Sequence, residues 1–289
     1  MNVSPALLRH QGPMLSALGR VAIAAMKKPP TRAMETPGAW VSETVPARSN
    51  ELVDAYVEWC GADPARYRDT IPAHMFPQWG FPLITETLKG IPYKLTGVLN
   101  QGTHVEVKGP IPRNVPLRLK ARLEALDDDG YKARIHQRLI TGTDENPELL
   151  ITDVFAVIVH KRKQGQSERA EETVNWKEIG EFSAGRWDGL QFGILTGDMN
   201  PIHWVPPYAK VAGFKRQILH GFASFARSWE TVVSSLGKDI PEADVRFVRP
   251  MVLPATVKVE LESSRKKQRQ IRLTDASGKV YMAGSLTVK

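Results

Sequence analysis

From Leu195 to Gly221 the chain reads LTGDMNPIHWVPPYAKVAGFKRQILHG, and a strongly apolar run, Gly221–Ser235, follows it. Asp198 and His203 are five residues apart, a spacing that on a regular helix would turn them away from each other. Pro201 prevents that helix, because it confines Asn200 to extended backbone and removes a backbone donor. The chain must therefore turn between acid and imidazole, and a turn can aim both at one point. Pro206 and Pro207 suit the first turn of a short helix, and Gly213 suits its stop. A second start follows at Ile218–Gly221. The apolar run after it places Phe222, Phe225, Ala226, Trp229 and Val233 on one helical face, with Gly237 as its stop. An acid and an imidazole on a rigid loop facing a helix N-terminus make a candidate acid–base site.

Outward from this stretch, the second half reads as a strand at Val174–Phe182, an apolar run at Trp187–Leu195, the helix, and four strands. Those strands are expected at Ala243–Val248, Thr256–Ser263, Gln268–Thr274 and Lys279–Val288, with Asp275–Gly278 as a turn. The first half has the same order. Pro29–Ser49 is an extended lead-in, and Asn50 reads as the N-cap of a helix through Glu58 that stops near Gly61. Gly80–Leu88 has a helical period, and strand-like runs follow at Thr103–Val107, Leu117–Leu126, Tyr131–Ile140 and Leu149–His160. The halves align about 140 residues apart: Gly80-Phe81 with Gly221-Phe222, Val105 with Val245, Leu117 and Leu119 with Val257 and Val259. Each helix is apolar around much of its circumference, so its sheet should wrap it. The expectation is an α+β fold of two antiparallel sheets, each wrapped around a long central helix. Its parts are a basic, helical N-terminal segment (1–40), a degenerate first repeat that shapes a pocket (41–160), a linker (161–172) and the repeat bearing the site (173–289). In the first repeat Cys60-Gly61-Ala62-Asp63-Pro64 looks like a degraded copy of Thr196–Pro201. Ala62 falls where Asp198 sits, and nothing replaces His203. One site per chain is expected.

The 289 residues carry 39 Lys and Arg against 31 Asp and Glu, a formal charge of +8 that favours anionic partners. A single cysteine, Cys60, excludes an intramolecular disulfide and a cysteine zinc cluster. No apolar run reaches the roughly 18 residues of a membrane span. Residues 1–34 contain Arg9, Arg20, Lys27, Lys28 and Arg32 and no acid. That profile fits a helix packing Leu7, Leu8, Leu15 and Leu18 on the body, and it also fits a targeting or membrane-surface segment. A cytoplasmic location is expected, with a mitochondrial or membrane-peripheral one as the alternative. Lys161-Arg162-Lys163 and Arg265-Lys266-Lys267 lack interleaved aromatics, so no nucleic-acid partner is expected. Trp79, Trp187, Trp204 and Trp229 read as core and pocket lining.

The motif G-D-x-N-P-I-H at 197–203, with Tyr208-Ala209, Gly213-Phe214 and Ile218-x-His220-Gly221, resembles the signature of MaoC-like dehydratases and type 2 (R-specific) enoyl-CoA hydratases. The resemblance covers residues 174–289 well, and the first half resembles the degenerate repeat of the double hot-dog members. It implies a double hot-dog fold and a hydro-lyase that hydrates trans-2-enoyl thioesters or dehydrates 3-hydroxyacyl thioesters. Carried over by position, Asp198 and His203 would hold the attacking water, and Asn200 would buttress the loop or touch that water. The amide of Gly221 would polarise the thioester carbonyl. Many members have Gly-Asp where this chain reads Pro254-Ala255, a structural position. His220 reads as a capping or packing residue.

No metal or redox cofactor is required by such chemistry; CoA or phosphopantetheine would enter as part of the substrate. Lys215 and Arg216, just before the apolar helix, are candidates to meet its phosphates. The expected partner is an acyl-CoA or an acyl carrier protein, and a monomer or homodimer suffices, since the duplication supplies the pairing internally. The alternative reading is a non-catalytic acyl-thioester binding or carrier-docking protein.

Overall fold

Period-two alternation builds the sheet. In Leu117–Asp128 the side chains of Leu117, Leu119, Ala121 and Leu123 are buried while their neighbours face solvent, and Val257, Val259 and Leu261 repeat the pattern in Ala255–Glu262. The computed structural model describes residues 3–25, 34–161, 174–264 and 266–289. Most of the expected linker, part of the basic N-terminal segment with Lys27, Lys28 and Arg32, and Arg162, Lys163 and Arg265 lie outside these residues. In chain order the elements are α1 (Gly12–Ala25), β1 (Val41–Val45), α2 (Asn50–Cys60), β2 (Thr70–Ile71), α3 (Pro77–Glu86) and β3 (Leu99–Val107). Next come β4 (Ile111–Pro112), β5 (Leu117–Asp128), β6 (Lys132–Gly142), β7 (Leu150–Val159) and β8 (Trp176–Ala184). The rest are α4 (Asp188–Thr196), α5 (Pro206–Val211), α6 (Gly221–Leu236), β9 (Glu242–Phe247), β10 (Ala255–Glu262), β11 (Gln268–Thr274) and β12 (Val280–Thr287).

Ten strands form one antiparallel sheet in the order β1-β5-β6-β7-β3-β9-β12-β11-β10-β8. Each half contributes five strands, and the two halves are related by an approximate two-fold rotation and joined edge to edge at β3–β9. The register there makes the symmetry explicit: His104 pairs with Asp244, its own counterpart in the repeat, flanked by Thr103–Val245 and Val105–Ala243. Joining the halves removes two sheet edges that would otherwise expose unpaired backbone groups. Helix α3 packs on β1, β5 and β6, and α6 packs on β8, β10, β12 and β3. The two helices meet through aromatic rings, with Phe222 edge-on to Phe76 at 5.5 Å and to Phe81 at 5.1 Å. Glu230 of α6 reaches into the first half, where His74 Nε2 lies 2.6 Å and the donating hydroxyl of Tyr67 2.5 Å from its Oε1.

Several expectations shift by a turn or less. Ser49, not Asn50, caps α2, its hydroxyl accepting the Leu52 amide at 3.2 Å. Helix α3 starts at Pro77, three residues before Gly80, because a proline fits the first helical position at no hydrogen-bond cost. Residues 41–45 form an edge strand rather than a plain lead-in; Ser42, Glu43 and Thr44 are exposed, so no apolar alternation marked it. Leu7 is buried and Leu8 and Leu18 half-buried, but Leu15 is 41% exposed, since Met14 and Ala17 form the packed face instead. Trp187 is also exposed, with the Arg186 guanidinium over its ring. Among the described residues no helix is long and apolar enough to cross a membrane.

Candidate active site

The loop after α4 carries the candidate acid. Gly197 ends that helix in the left-handed conformation (φ +84°), which spares any side chain the steric cost of that backbone. Its α-carbon also faces Met14 of α1, where an added Cβ would stand 2.7 Å from the methionine Cβ. Asp198 Oδ1 accepts the Asn200 amide at 3.3 Å. Asn200, at φ −57° and ψ 122°, holds the extended backbone that Pro201 demands, and its own Oδ1 accepts the Ile202 amide. Pro201 then opens a single 3-10 turn, Pro201–His203, which brings the imidazole back beside the carboxylate. The indole of Trp204 donates to Met199 O at 3.1 Å and fastens the loop from outside.

The loop lies against α4 because that helix offers it bare backbone. A Cβ on Gly189 would sit 2.0 Å from His203 O, and one on Gly193 2.9 Å from Asp198 O. The Gly-x-x-x-Gly spacing places both on one helical face, a signal present in the sequence and passed over.

Ligand atoms of Asp198, His203 and His220 lie within 4.8 Å of one another. His203 Nδ1 is 2.8 Å from Ile218 O; a carbonyl only accepts, so the proton sits on Nδ1 and Nε2 presents its lone pair. His220 donates through Nε2 to Asp198 O at 3.1 Å, and its Nδ1 is buried without a partner. The two rings stack with centroids 3.5 Å apart and planes 22° from parallel. Their in-plane lone pairs therefore do not converge on one point, and the trio could hold a metal ion through both rings only if one turned. Burial pushes His203 below its usual value, against the pull of Asp198 and the Ile218 bond. His220 is pushed down further, by burial and then by His203. Both rings are neutral near pH 7. Asp198 keeps 19% of its side chain exposed.

All three groups line a cavity of about 310 Å³, in the size range of small-molecule sites. Gly221 lines it too, at the first position of α6, and His220 makes no side-chain cap there. The first amides of a helix have no partner within it and carry the positive end of its dipole. Val98 and Asn100 from the first half complete the wall. Lys215 and Arg216 are exposed and line no described cavity, although Phe214 beside them does; the cation in the wall is Arg249, which nothing in its sequence context marked. Pro254 stands just before β10, away from the cavity.

The degraded copy in the first half has the same build. Gly61 ends α2 at φ +76°, and Asp63 caps a 3-10 turn opened by Pro64, accepting the Ala65 amide at 2.9 Å. Asp63-Pro64 thus does what Asn200-Pro201 does. Where His203 follows Pro201 by two, Arg66 follows Pro64 and is ion-paired to Asp239.

Comparison with known proteins bears on the fold and the family. Residues 160–281 match the family model described as MaoC like domain. The chain is 29% identical over 159 residues to enoyl-CoA hydratase ChsH3 of Mycobacterium tuberculosis, a match covering 53% of this chain and 54% of that protein. It is 25% identical over 184 residues to peroxisomal multifunctional enzyme type 2 of Mus musculus (60% and 25%). Over 69 residues it is 38% identical to 3-hydroxyacyl-thioester dehydratase X of M. tuberculosis (23% of each). The matches to these curated relatives span about half of their length or less. Among solved structures, HtdX of M. tuberculosis superposes with a TM-score of 0.71 at 18% identity, covering 87% of this chain and 100% of that one. A conserved hypothetical protein of the same organism, described as a double hotdog fold, superposes at 0.59 with 11% identity, covering 89% and 97%. Likeness at these identities speaks for the fold. The chain has the double hot-dog fold, and over residues 160–281 its second half matches the MaoC like domain.

Proposed function

We propose that the chain is a hydro-lyase that reversibly hydrates trans-2-enoyl thioesters to (R)-3-hydroxyacyl thioesters. The observation that carries this reading is the convergence of Asp198, His203 and the start of α6 on one cavity. The names of the relatives, enoyl-CoA hydratase and 3-hydroxyacyl-thioester dehydratase, support it.

Water is a weak nucleophile, and a positioned base typically contributes about 10²–10⁴-fold. Neutral His203 accepts one water proton through Nε2, and the Asp198 carboxylate accepts the other. The oxygen lone pair is then left to face C3. As oxygen bonds to C3, Asp198 takes the proton, and the C2=C3 electrons move toward the thioester oxygen. That oxygen meets the Gly221 amide, a donor of a kind whose loss typically costs about 3–4 kcal/mol. Passing the proton held by Asp198 on to C2 completes the addition and restores the carboxylate, and the reverse sequence dehydrates the product. Asn200 holds the acid's loop. Lys215 and Arg216, next to the lining residue Phe214, and Arg249 in the wall are the cations for the phosphates of CoA or a carrier's phosphopantetheine.

The test is loss of enoyl-thioester absorbance when purified protein meets crotonyl-CoA, with chiral analysis of the product. Asp198→Asn should slow the reaction at least ~100-fold with its melting temperature nearly unchanged. An unchanged rate would overturn the assignment. Saturable binding without turnover would favour the non-catalytic reading.

A further inference from the structure

Phe247 is the last residue of β9, at the point where the two halves part: the pairing of β3 with β9 ends at Gly102–Arg246, one residue earlier. Ala243 and Val245 point into the core, and period two puts Phe247 on their face. Its ring lies on the start of α6. A Cβ added to Gly221 would stand 2.6 Å or less from three carbons of that ring, Cγ, Cδ2 and Cε2. Only a residue without a side chain lets the ring come so close. The ring also lines the active-site cavity, together with Asp198, His203 and Gly221.

Other rings hold this one in its orientation. It meets Phe222 at 5.1 Å and 80°, and the buried Phe222 meets Phe81 at 5.1 Å and Phe76 at 5.5 Å, edge to face. The first half is built differently at this point. Gly80, aligned with Gly221, lies inside α3 rather than at its start, and the fully buried Leu139 covers it. Val107 takes the position aligned with Phe247. The half-buried ring over a helix start belongs to the half that carries the acid and the imidazole.

We infer that Phe247 is a positioning residue for the thioester, acting through the Gly221 amide. The inference rests on the hydratase reading for what that amide binds. A first-turn N–H has no partner in its helix, so water competes with a substrate oxygen for it. The ring fills the space beside the Gly221 α-carbon and keeps water out of it, while the glycine still faces the cavity. A donor in a dry site acts more strongly on developing charge than the same donor in water. The conjugated thioester is planar, and the ring gives it a wall to lie against. Loss of the ring therefore weakens carbonyl polarisation and the chemical step more than binding.

The experiment reads the carbonyl directly. Butanoyl-CoA, isotope-labelled at the carbonyl carbon, is saturated and cannot be hydrated. Its infrared stretch is recorded free and bound to the full chain, to Phe247→Val and to Phe247→Leu. Val is the residue of the aligned position and lacks carbons where the ring has Cδ2 and Cε2; Leu keeps one there. Bound to the unsubstituted chain, the stretch should lie below its value in water, and Phe247→Val should lose most of that shift. With crotonyl-CoA, kcat should fall at least ~10-fold in Phe247→Val with KM changed by less than ~3-fold, and Phe247→Leu should recover most of the loss. Melting temperatures verify folding. A shift that survives Phe247→Val in a folded protein, or is missing from the unsubstituted chain, would overturn the inference, since a merely structural ring alters the melting temperature and not the carbonyl. If crotonyl-CoA is not turned over yet the shift is seen and lost with the ring, the positioning role stands and the hydratase reading falls. If turnover is seen and the shift does not depend on the ring, the hydratase reading stands and the positioning role falls.

Discussion

His203 and His220 touch face to face, yet they differ in what they can do. His203 spends Nδ1 on a carbonyl and keeps Nε2 for the cavity; His220 spends Nε2 on the backbone of Asp198. The second ring is thus a positioning residue for the acid's loop. Its sequence position at the head of α6 suggested a capping or packing residue; it makes no capping bond and packs on His203. Burial holds both imidazoles below the usual value of 6.5. The unfolded chain therefore takes up protons near that pH more readily than the folded one. Stability from this source is complete above about pH 6.5 and is lost as pH falls below it. Thermal melts between pH 7.5 and 5 should show a steeper acid decline for the native chain than for His220→Asn. Parallel declines would mean that His220 is not a source of it.

At the scale of the element, α4 shapes the site without lining its cavity. A methyl group at Gly189 would meet the His203 carbonyl, and backbone cannot rotate aside as a side-chain tip can. Gly189→Ala should cost ~1–3 kcal/mol in denaturant unfolding and slow turnover at least ~10-fold, because the His203 turn must shift. Gly19→Ala, in α1 with nothing within 4 Å of the new Cβ, is the control and should be neutral or stabilising. Equal effects would show that the close approach does not matter. Elements with a strong apolar period, α6 and β5–β7 and β10–β12, were legible to within a few residues. Edge strand β1 was not, since pairing with β5 creates it and its own side chains are exposed.

For the whole molecule, the decisive feature is that two halves make one sheet and one site. Val98 and Asn100 of the first half line the same cavity as the second half's acid, and α3 lines a second cavity that also reaches Asp198. Glu230 ties the halves through buried hydrogen bonds to His74 and Tyr67, and leaving a buried hydrogen-bonding group without its partner typically costs ~1–3 kcal/mol. Glu230→Ala should lower unfolding stability by an amount of that order, measured by urea titration. A loss under ~1 kcal/mol would show that these bonds do not hold the halves together.

By itself, the sequence determined the duplication, the helix-and-sheet order, and the pairing of Asp198 with His203 through Pro201. These are local matters, settled by apolar period and by the backbone limits of proline and glycine within a few residues. The degraded copy at Cys60–Pro64 was legible for the same reason. Tertiary structure alone decided what lies across space. It joined the half-sheets at His104–Asp244, laid His220 on His203, and set bare glycine backbone of α4 under the Asp198–His203 loop. It also placed α1 along a second cavity that Asp198 helps to line. Such contacts depend on how distant surfaces meet, and a periodic pattern along one segment carries no information about the partner it will face.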